Sequence, residues 1–463
     1  MRRVIPQLST KFQTRNIRLR KEAPKIVTAE EAAGLIQSNE RVFFHGVAAF
    51  PSTVARELSN RWQELRNVEL CHIHIERENP CSESKMRDSF FVNNLFVGHN
   101  QREAVASGRS SYIPCFLSEV PSLFRRDILP LDWAVLNVSP PDKHGYCSLG
   151  VEVAAALSAS QTAKKIIAQV NPNQPRTHGY SHLHINSIDF LIPNVNEELS
   201  CATIRPSSEI ELRIGHNVAS LVQDGACLQM GIGAIPNSVL ASLKNHKNLG
   251  VHTEMFQDAL IDLIESNVVT NSKKTFMPGK TVTSFVMGTK RVYDYVDDNP
   301  EIYFMESSIT NDPVIIGSNK RTTAINSAIE VDITGQVCAD SVGTRHISGV
   351  GGQVDFERGA AISENGIPII CLPSTLKNGA SCIVPTLHRG AGVTTTRSHV
   401  HYVVTEWGCA DLFGKNFLER ARALINIAHP NHREELERQA YERFKVMHGC
   451  DVLRWIVNSF SYQ

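Results

Sequence analysis

From Thr28 onward the chain alternates short apolar runs with amphipathic stretches. Arg41-Val-Phe-Phe-His-Gly46 reads as a strand ending at a glycine, and Pro51-Ser-Thr53 opens a helix. In that helix Val54, Leu58, Trp62 and Leu65 recur at helical spacing and form one apolar stripe. Val68 to Ile75, Trp133 to Val138 and Lys165 to Val170 read as further strands, with an Ala-rich helix from about Val153 to Ala163. Strands alternating with helices predict α/β layers around a mainly parallel sheet. Lys415 to Val457 reads as helical and broken at Pro430.

One phrase occurs twice. Gly46-Val-Ala-Ala-Phe-Pro51-Ser-Thr-Val54 returns as Gly231-Ile-Gly-Ala-Ile-Pro236-Asn-Ser-Val239. Each copy follows an apolar strand, holds Ala-x-Pro-x-x-Val and leads into a helix. After each helix an asparagine, Asn67 or Asn248, precedes the next strand. The repeat implies two related α/β domains in tandem. The polar stretch between Asn194 and Ser208 divides them, giving expected domains at 25–200 and 201–463.

Residues 1–24 differ from both. Arg2, Arg3, Lys11, Arg15, Arg18, Arg20 and Lys21 all precede the first acid, Glu22, and no long apolar run accompanies them. The pattern resembles a mitochondrial transit peptide and predicts a matrix location; the alternative is a basic tail without an address.

Composition removes several classes of function. The 47 Lys and Arg are balanced by 47 Asp and Glu, which argues against a nucleic-acid partner. At 42% hydrophobic and 20% charged the chain has the make-up of a folded soluble protein, and no apolar stretch is long enough to cross a bilayer. Its 11 cysteines are scattered with no C-x-x-C pair, so reduced and mostly buried thiols are expected rather than zinc or disulfides. Three H-x-H pairs, at His72/His74, His182/His184 and His399/His401, could each chelate from one face of a strand. None has a third ligand at recognisable spacing, so no metal is expected. No G-x-S-x-G nucleophile elbow occurs.

Three places remain that could carry chemistry. In the cluster Gly231-Ile232-Gly233-Ala234-Ile235-Pro236, a strand-to-helix turn can present backbone N–H groups to an anion. Pro236 stands where a dinucleotide fingerprint has its third glycine, and a plain tight turn is the alternative. The second cluster is Gly349-Val-Gly351-Gly352-Gln-Val-Asp-Phe356, where consecutive glycines allow close backbone approach to a ligand. Between the clusters lies Glu254, after an expected strand Leu249 to Thr253. A helix is expected to begin directly after it, with Phe256, Leu260, Leu263 and Ile264 on one face. A carboxylate at the carboxyl end of such a strand lies where open α/β sheets bind ligands, and the helix start would favour its charge. The competing reading is a solvent-exposed acid at a helix N-terminus.

Taken together, Gly231-Ile-Gly-Ala-Ile-Pro236, His252-Thr-Glu-Met-Phe256 and Gly349-Val-Gly-Gly-Gln-Val-Asp-Phe356 resemble the acetyl-CoA hydrolase/CoA-transferase family, which includes 4-hydroxybutyrate, butyrate and acetate CoA-transferases. Pro140-Pro-Asp-Lys-His-Gly-Tyr-Cys-Ser-Leu-Gly150 and Asn171-Pro-Asn-Gln-Pro-Arg-Thr-His-Gly179 agree, and the likeness runs from about Glu30 to Trp455. The resemblance implies two tandem open α/β domains with the active site at their interface. It implies that Glu254 is a nucleophile forming a glutamyl-CoA thioester, and that Gly231, Ile232, Gly233, Ala234, Ile235, Gly349, Gly352 and Lys377 contact coenzyme A. Gly351 and Gly352 are candidates for an oxyanion hole. CoA is then a substrate, with no permanently bound cofactor, and the partners are an acyl-CoA and a short-chain carboxylate. Such chemistry needs Glu254 ionised, so its pKa is expected not to be strongly raised. An acetyl-CoA hydrolase using the same glutamate and a non-catalytic CoA-binding paralogue are the alternatives. A homodimer is compatible with the sequence and not specified by it.

Overall fold

A computed structural model describes residues 22–231 and 233–445. Two large sheets organise them. The first has eight strands, in the order Lys25–Ile26, Phe190–Ile192, Lys165–Val170, Trp133–Val138, Arg41–Phe44, Val68–His72, Phe90–Asn94 and Ser110–Tyr112. Every neighbouring pair in it is parallel. All six residues of Trp133–Val138 are buried, the unbroken apolar run that a strand covered on both faces requires. One face packs into a core with Val42, Phe44, Val54, Leu58 and Leu65; the helix ends at Asn60, so of the expected stripe Leu65 and the partly buried Trp62 pack there from beyond it.

The second sheet has six strands, ordered Gly250–Val251, Cys227–Met230, Thr322–Ser327, Ile367–Cys371, Tyr402–Thr405 and Gly408–Asp411. Only its last pair is antiparallel. A small parallel sheet joins the two halves, because His178–Gly179 from the first half pairs with Ile302–Phe304 from the second. Gly179 comes so close that an added Cβ would lie 2.2 Å from the Phe304 carbonyl oxygen. One core is also shared, since Val138 and Val151 belong to the same buried cluster as Phe285 and Phe304.

The repeated phrase has matching geometry. Arg41–Phe44 leads to helix Ser52–Asn60, and Cys227–Met230 leads to helix Ala234–Ser242. Asn67 and Asn248 both take the left-handed conformation, at φ 54° and 55°, where asparagine is tolerated better than most residues. Pro51 precedes its helix, whereas Pro236 lies inside the first turn of its own, where its missing N–H leaves no intrahelical bond unmade. The C-terminal segment forms Phe417–Asn426 and Pro430–Phe444, with Pro430 opening the second helix. The remainder of that expected helix lies outside the described residues, as do residues 1–21 of the basic N-terminus.

The ten described cysteines are free thiols. Seven are buried, but Cys201 and Cys409 reach solvent. No described helix is long and apolar enough to cross a membrane. No group of three or more His, Cys, Asp or Glu among the described residues could hold a metal ion.

Candidate active site

Glu254 sits in a cavity of about 220 Å³ at the junction of the two halves. The first half contributes Ile73, His74, Phe96 and Leu117 to its wall. The second contributes Gln229, Met230, Asn326 and the run Ser348 to Gln353. His74 packs edge-on against both Phe96 and Phe285, with ring centroids 5.4 Å apart in each pair.

The backbone carrying Glu254 is tied to its neighbours. Its carbonyl oxygen accepts from the N–H groups of Ser284 and Phe285 at 3.0 and 3.1 Å and from the Thr283 hydroxyl at 3.1 Å. One residue before it, Thr253 donates its N–H to Val282 O. Buried His252 bonds through Nε2 to Thr310 O at 2.7 Å. That contact draws in the short helix Ser307–Thr310, and Asn311 follows directly. Asn311 Nδ2 then donates to Glu254 Oε2 at 2.8 Å.

The glycine loop closes the other side. Gly351 is left-handed at φ 59°. A Cβ on Gly352 would lie 2.0 Å from Glu254 Oε2 and 2.1 Å from Asn311 Nδ2, so only glycine fits. The Gly352 N–H bonds the Glu254 carboxylate, and Gly352 is also the N-cap of helix Gln353–Ile362. The first half holds this loop in place. Tyr112 Oη accepts from Val350 N–H at 3.0 Å, Leu117 N–H donates to Gly351 O at 3.0 Å, and the Ser118 hydroxyl donates to Asp355 Oδ1 at 2.9 Å.

Two expectations are corrected here. No helix starts directly after Glu254. Met255–Phe256 pairs with Phe285–Val286 as a strand, and the helix runs Asp258–Glu265. Helix support for the charge comes instead from the N-terminus of Gln353–Ile362, about a hundred residues away in sequence. Nor is the carboxyl unshifted. Burial pushes Glu254 from 4.5 up to about 7, against the opposing pull of Asn311 and the Gly352 N–H. Burial likewise lifts Asp355 to about 7; the Ser118 hydrogen bonds oppose the rise and the nearby Glu254 adds to it.

The other predicted residues are distributed as follows. Gly349, Gly351 and Gly352 line the cavity with Glu254, and so does Gly231. Gly233 and Ala234 line a second cavity of about 740 Å³ instead. Met255 lies in the wall of both. Ile235 lines neither and packs against the main core, and Ile232 lies outside the described residues. Lys377 is exposed on a turn closed by Gly379 N–H to Leu376 O and is absent from the cavity wall. Arg205 and Arg291 line the second cavity, but each is ion-paired, with Glu211 and with Asp262 and Glu265. Sequence reasoning missed Asn311, Asn326, Phe96 and Tyr112. Gln229, a polar residue inside the apolar run Ala226-Cys-Leu-Gln-Met230, carries the one signal available in the sequence.

A carboxylate held by two neutral donors, in a wall with no Lys or Arg among the described lining residues, has no countercharge beside it when it ionises. Such a group can act as a nucleophile toward an activated carbonyl.

Known proteins resemble the chain over most of its length. Residues 11–204 match the acetyl-CoA hydrolase/transferase N-terminal domain, and residues 288–440 match the C-terminal domain. A succinyl-CoA:acetate/propanoyl-CoA:succinate CoA transferase of Fasciola hepatica is 49% identical over 90% of this chain and 88% of its own. A 4-hydroxybutyrate coenzyme A transferase of Clostridium kluyveri is 46% identical over 91% of this chain and 98% of its own. The crystal structure of a 4-hydroxybutyrate CoA-transferase from Porphyromonas gingivalis superposes with a TM-score of 0.78 at 37% identity, covering 91% of this chain and 98% of that one. The chain belongs to the acetyl-CoA hydrolase/transferase family.

Proposed function

We propose that the protein is a CoA-transferase of the mitochondrial matrix, moving CoA between a short-chain acyl-CoA and a carboxylic acid such as acetate or succinate. The observation that carries this reading is the Glu254 carboxylate in an inter-half cavity, bonded among the described residues only by Asn311 and the Gly352 N–H. Glu254 attacks the acyl-CoA carbonyl and expels CoA thiolate, leaving an acyl-glutamyl anhydride. The thiolate attacks the glutamyl carbonyl of that anhydride, releasing the first acid and forming glutamyl-CoA. An incoming carboxylate attacks the thioester, giving a new anhydride and thiolate. The thiolate then takes the acyl group and frees Glu254. No metal or redox step enters this sequence.

Each carbonyl attack creates an oxyanion, and a preorganised N–H donor is worth about 3 kcal/mol to it. Gly351 and Gly352 lie against Glu254 and can supply such donors as the carboxylate shifts toward substrate. The cavity of about 220 Å³ suits an acyl chain of a few carbons. Water reaching the anhydride or thioester would divert the cycle to hydrolysis, so closure of the cavity over CoA favours transfer.

Initial rates with acyl-CoA and acetate varied together test the reading. Parallel double-reciprocal lines are expected, together with label exchange from acetate into acetyl-CoA. Intersecting lines, or release of free CoA independent of added acid, contradict it. The matrix location rests on the Arg- and Lys-rich, acid-poor residues 1–21. Residues 1–24 fused to a fluorescent protein are expected to carry it into mitochondria, and a diffuse cytosolic signal rejects the address.

A further inference from the structure

Bonded to Asn326 in the wall of the Glu254 cavity is a carboxyl that the mechanism above does not use. Glu357 is fully buried, on helix Gln353–Ile362. Its Oε1 accepts from Asn326 Nδ2 at 2.8 Å, and its Oε2 has no hydrogen-bond partner among the described residues. A buried, half-satisfied carboxyl costs stability, and burial pushes its titration up to about 8. Folds keep such a group mainly where it does something else.

Its partner lines the cavity. Asn326 forms a reciprocal amide pair with Gln229, which also lines the cavity. Gln229 Nε2 donates to Asn326 Oδ1 at 3.2 Å, and Asn326 Nδ2 donates back to Gln229 Oε1 at 3.3 Å. The Ile325 N–H also donates to Gln229 Oε1, at 3.1 Å. An amide pair by itself has two near-equivalent orientations. Here both ends are anchored, Gln229 by a backbone donor and Asn326 by the Glu357 acceptor. Both hydrogens of Asn326 Nδ2 are then occupied, by Glu357 and by Gln229. Of the Gln229 pair one is given to Asn326. The amide hydrogen left over belongs to Gln229 Nε2, on a residue in the wall of the reacting cavity.

We propose that Glu357 is a positioning residue that fixes the polarity of the Asn326–Gln229 amide pair, so that Gln229 offers an N–H to the substrate carbonyl oxygen in the Glu254 cavity. The inference deepens the transferase reading and rests on it. Glu357 itself touches no substrate.

The test is Glu357→Met, which removes the acceptor from Asn326 at similar volume, with Glu357→Gln made alongside as the variant whose amide oxygen can still accept and which is expected to keep most of the activity. In Glu357→Met the acetate exchange kcat is expected to fall between about 10- and 100-fold, with KM for acyl-CoA changed less than about twofold. The thermal midpoint at pH 8 is expected to stay level or rise, because a buried carboxyl has been removed. In a Gln229→Ala background the same substitution is expected to cause no further loss, since both act through one N–H. A lowered midpoint with wild-type kcat marks a purely structural role and overturns the proposal. Independent, multiplicative losses in the double variant overturn it too. The wild-type chain is assayed in parallel: if it shows no exchange with any short-chain donor, the transferase reading falls, and this inference with it.

Discussion

Replacing Glu254 by glutamine is expected to abolish acyl exchange and, above neutral pH, to make the protein more stable. Loss of a covalent nucleophile lowers turnover by about 10⁴-fold or more. Glutamine keeps the shape and can still accept from Asn311, so the site stays assembled. The stability gain follows from proton linkage. An unfolded glutamate releases its proton near 4.5, whereas the native one holds it until about 7. Between those values the native chain binds more protons than the unfolded chain, so wild-type stability falls as pH rises through the window. Above it the full penalty is present, on the order of 1–3 kcal/mol for a partly exposed side chain. The variant has no such penalty. Thermal midpoints of the two proteins are expected to coincide near pH 4 and to separate near pH 8, with the variant higher. An equal gap at both pH values contradicts the assignment. The same titration makes wild-type exchange rise with pH and level off above about 7, since only the ionised carboxylate attacks. Asp355 titrates in the same range and feels the charge on Glu254, so that midpoint belongs to the pair.

The second large effect concerns the joint between the halves. Removal of Glu306 is expected to destabilise the fold and slow catalysis together. Arg125, on the helix Val120–Arg125 of the first half, grips Glu306 with two hydrogen bonds of 2.6 and 2.8 Å. Glu306 is the N-cap residue of Ser307–Thr310, and Ser307 reaches back to Ala154 O. The Glu306 side chain is 4% exposed and that of Arg125 21%, so water can reach only one partner. Truncating a buried partner leaves the other charge without compensation, worth about 2–3 kcal/mol here once the exposure of Arg125 is allowed for. Glu306→Ala should therefore lower the thermal midpoint clearly. Because Asn311 follows that short helix, exchange should fall as well. Pairing it with Arg125→Met is expected to restore most of the stability, since no unpaired charge then remains. A single variant as stable as wild type removes this joint from the account.

Much of the site could be read before its geometry was known, but not what holds it. The parallel strands announce themselves because burial on both faces demands unbroken apolar runs such as Trp133–Val138. Glu254 and the glycines at 349, 351 and 352 were recognisable from local phrases, and the fold places them in one cavity. The start of the next helix was misread because Phe256 and Leu260 are four residues apart, a spacing that fits a helical stripe. Phe256 is buried for another reason: it lies in a strand and stacks on Tyr295 with ring planes 9° apart. The helix that supports the charge and the amide that bonds it come from residues 352 and 311, which no local period links to residue 254. The raised carboxyl was unreadable for the same reason, since desolvation depends on distant chain folding over the site. Lys377 sits on a turn whose direction is set by contacts such as His432 Nε2 with Gly379 O, again beyond the reach of local pattern.

The central claim is that the Glu254 carboxylate carries CoA as a thioester. Incubation with acyl-CoA and no acceptor acid, followed by borohydride reduction and mass spectrometry of the peptide holding residue 254, tests it most directly. The account predicts that this glutamate alone is converted to the corresponding alcohol, with activity lost in proportion. An unmodified peptide from protein that has turned over, or reduction at another residue, contradicts it.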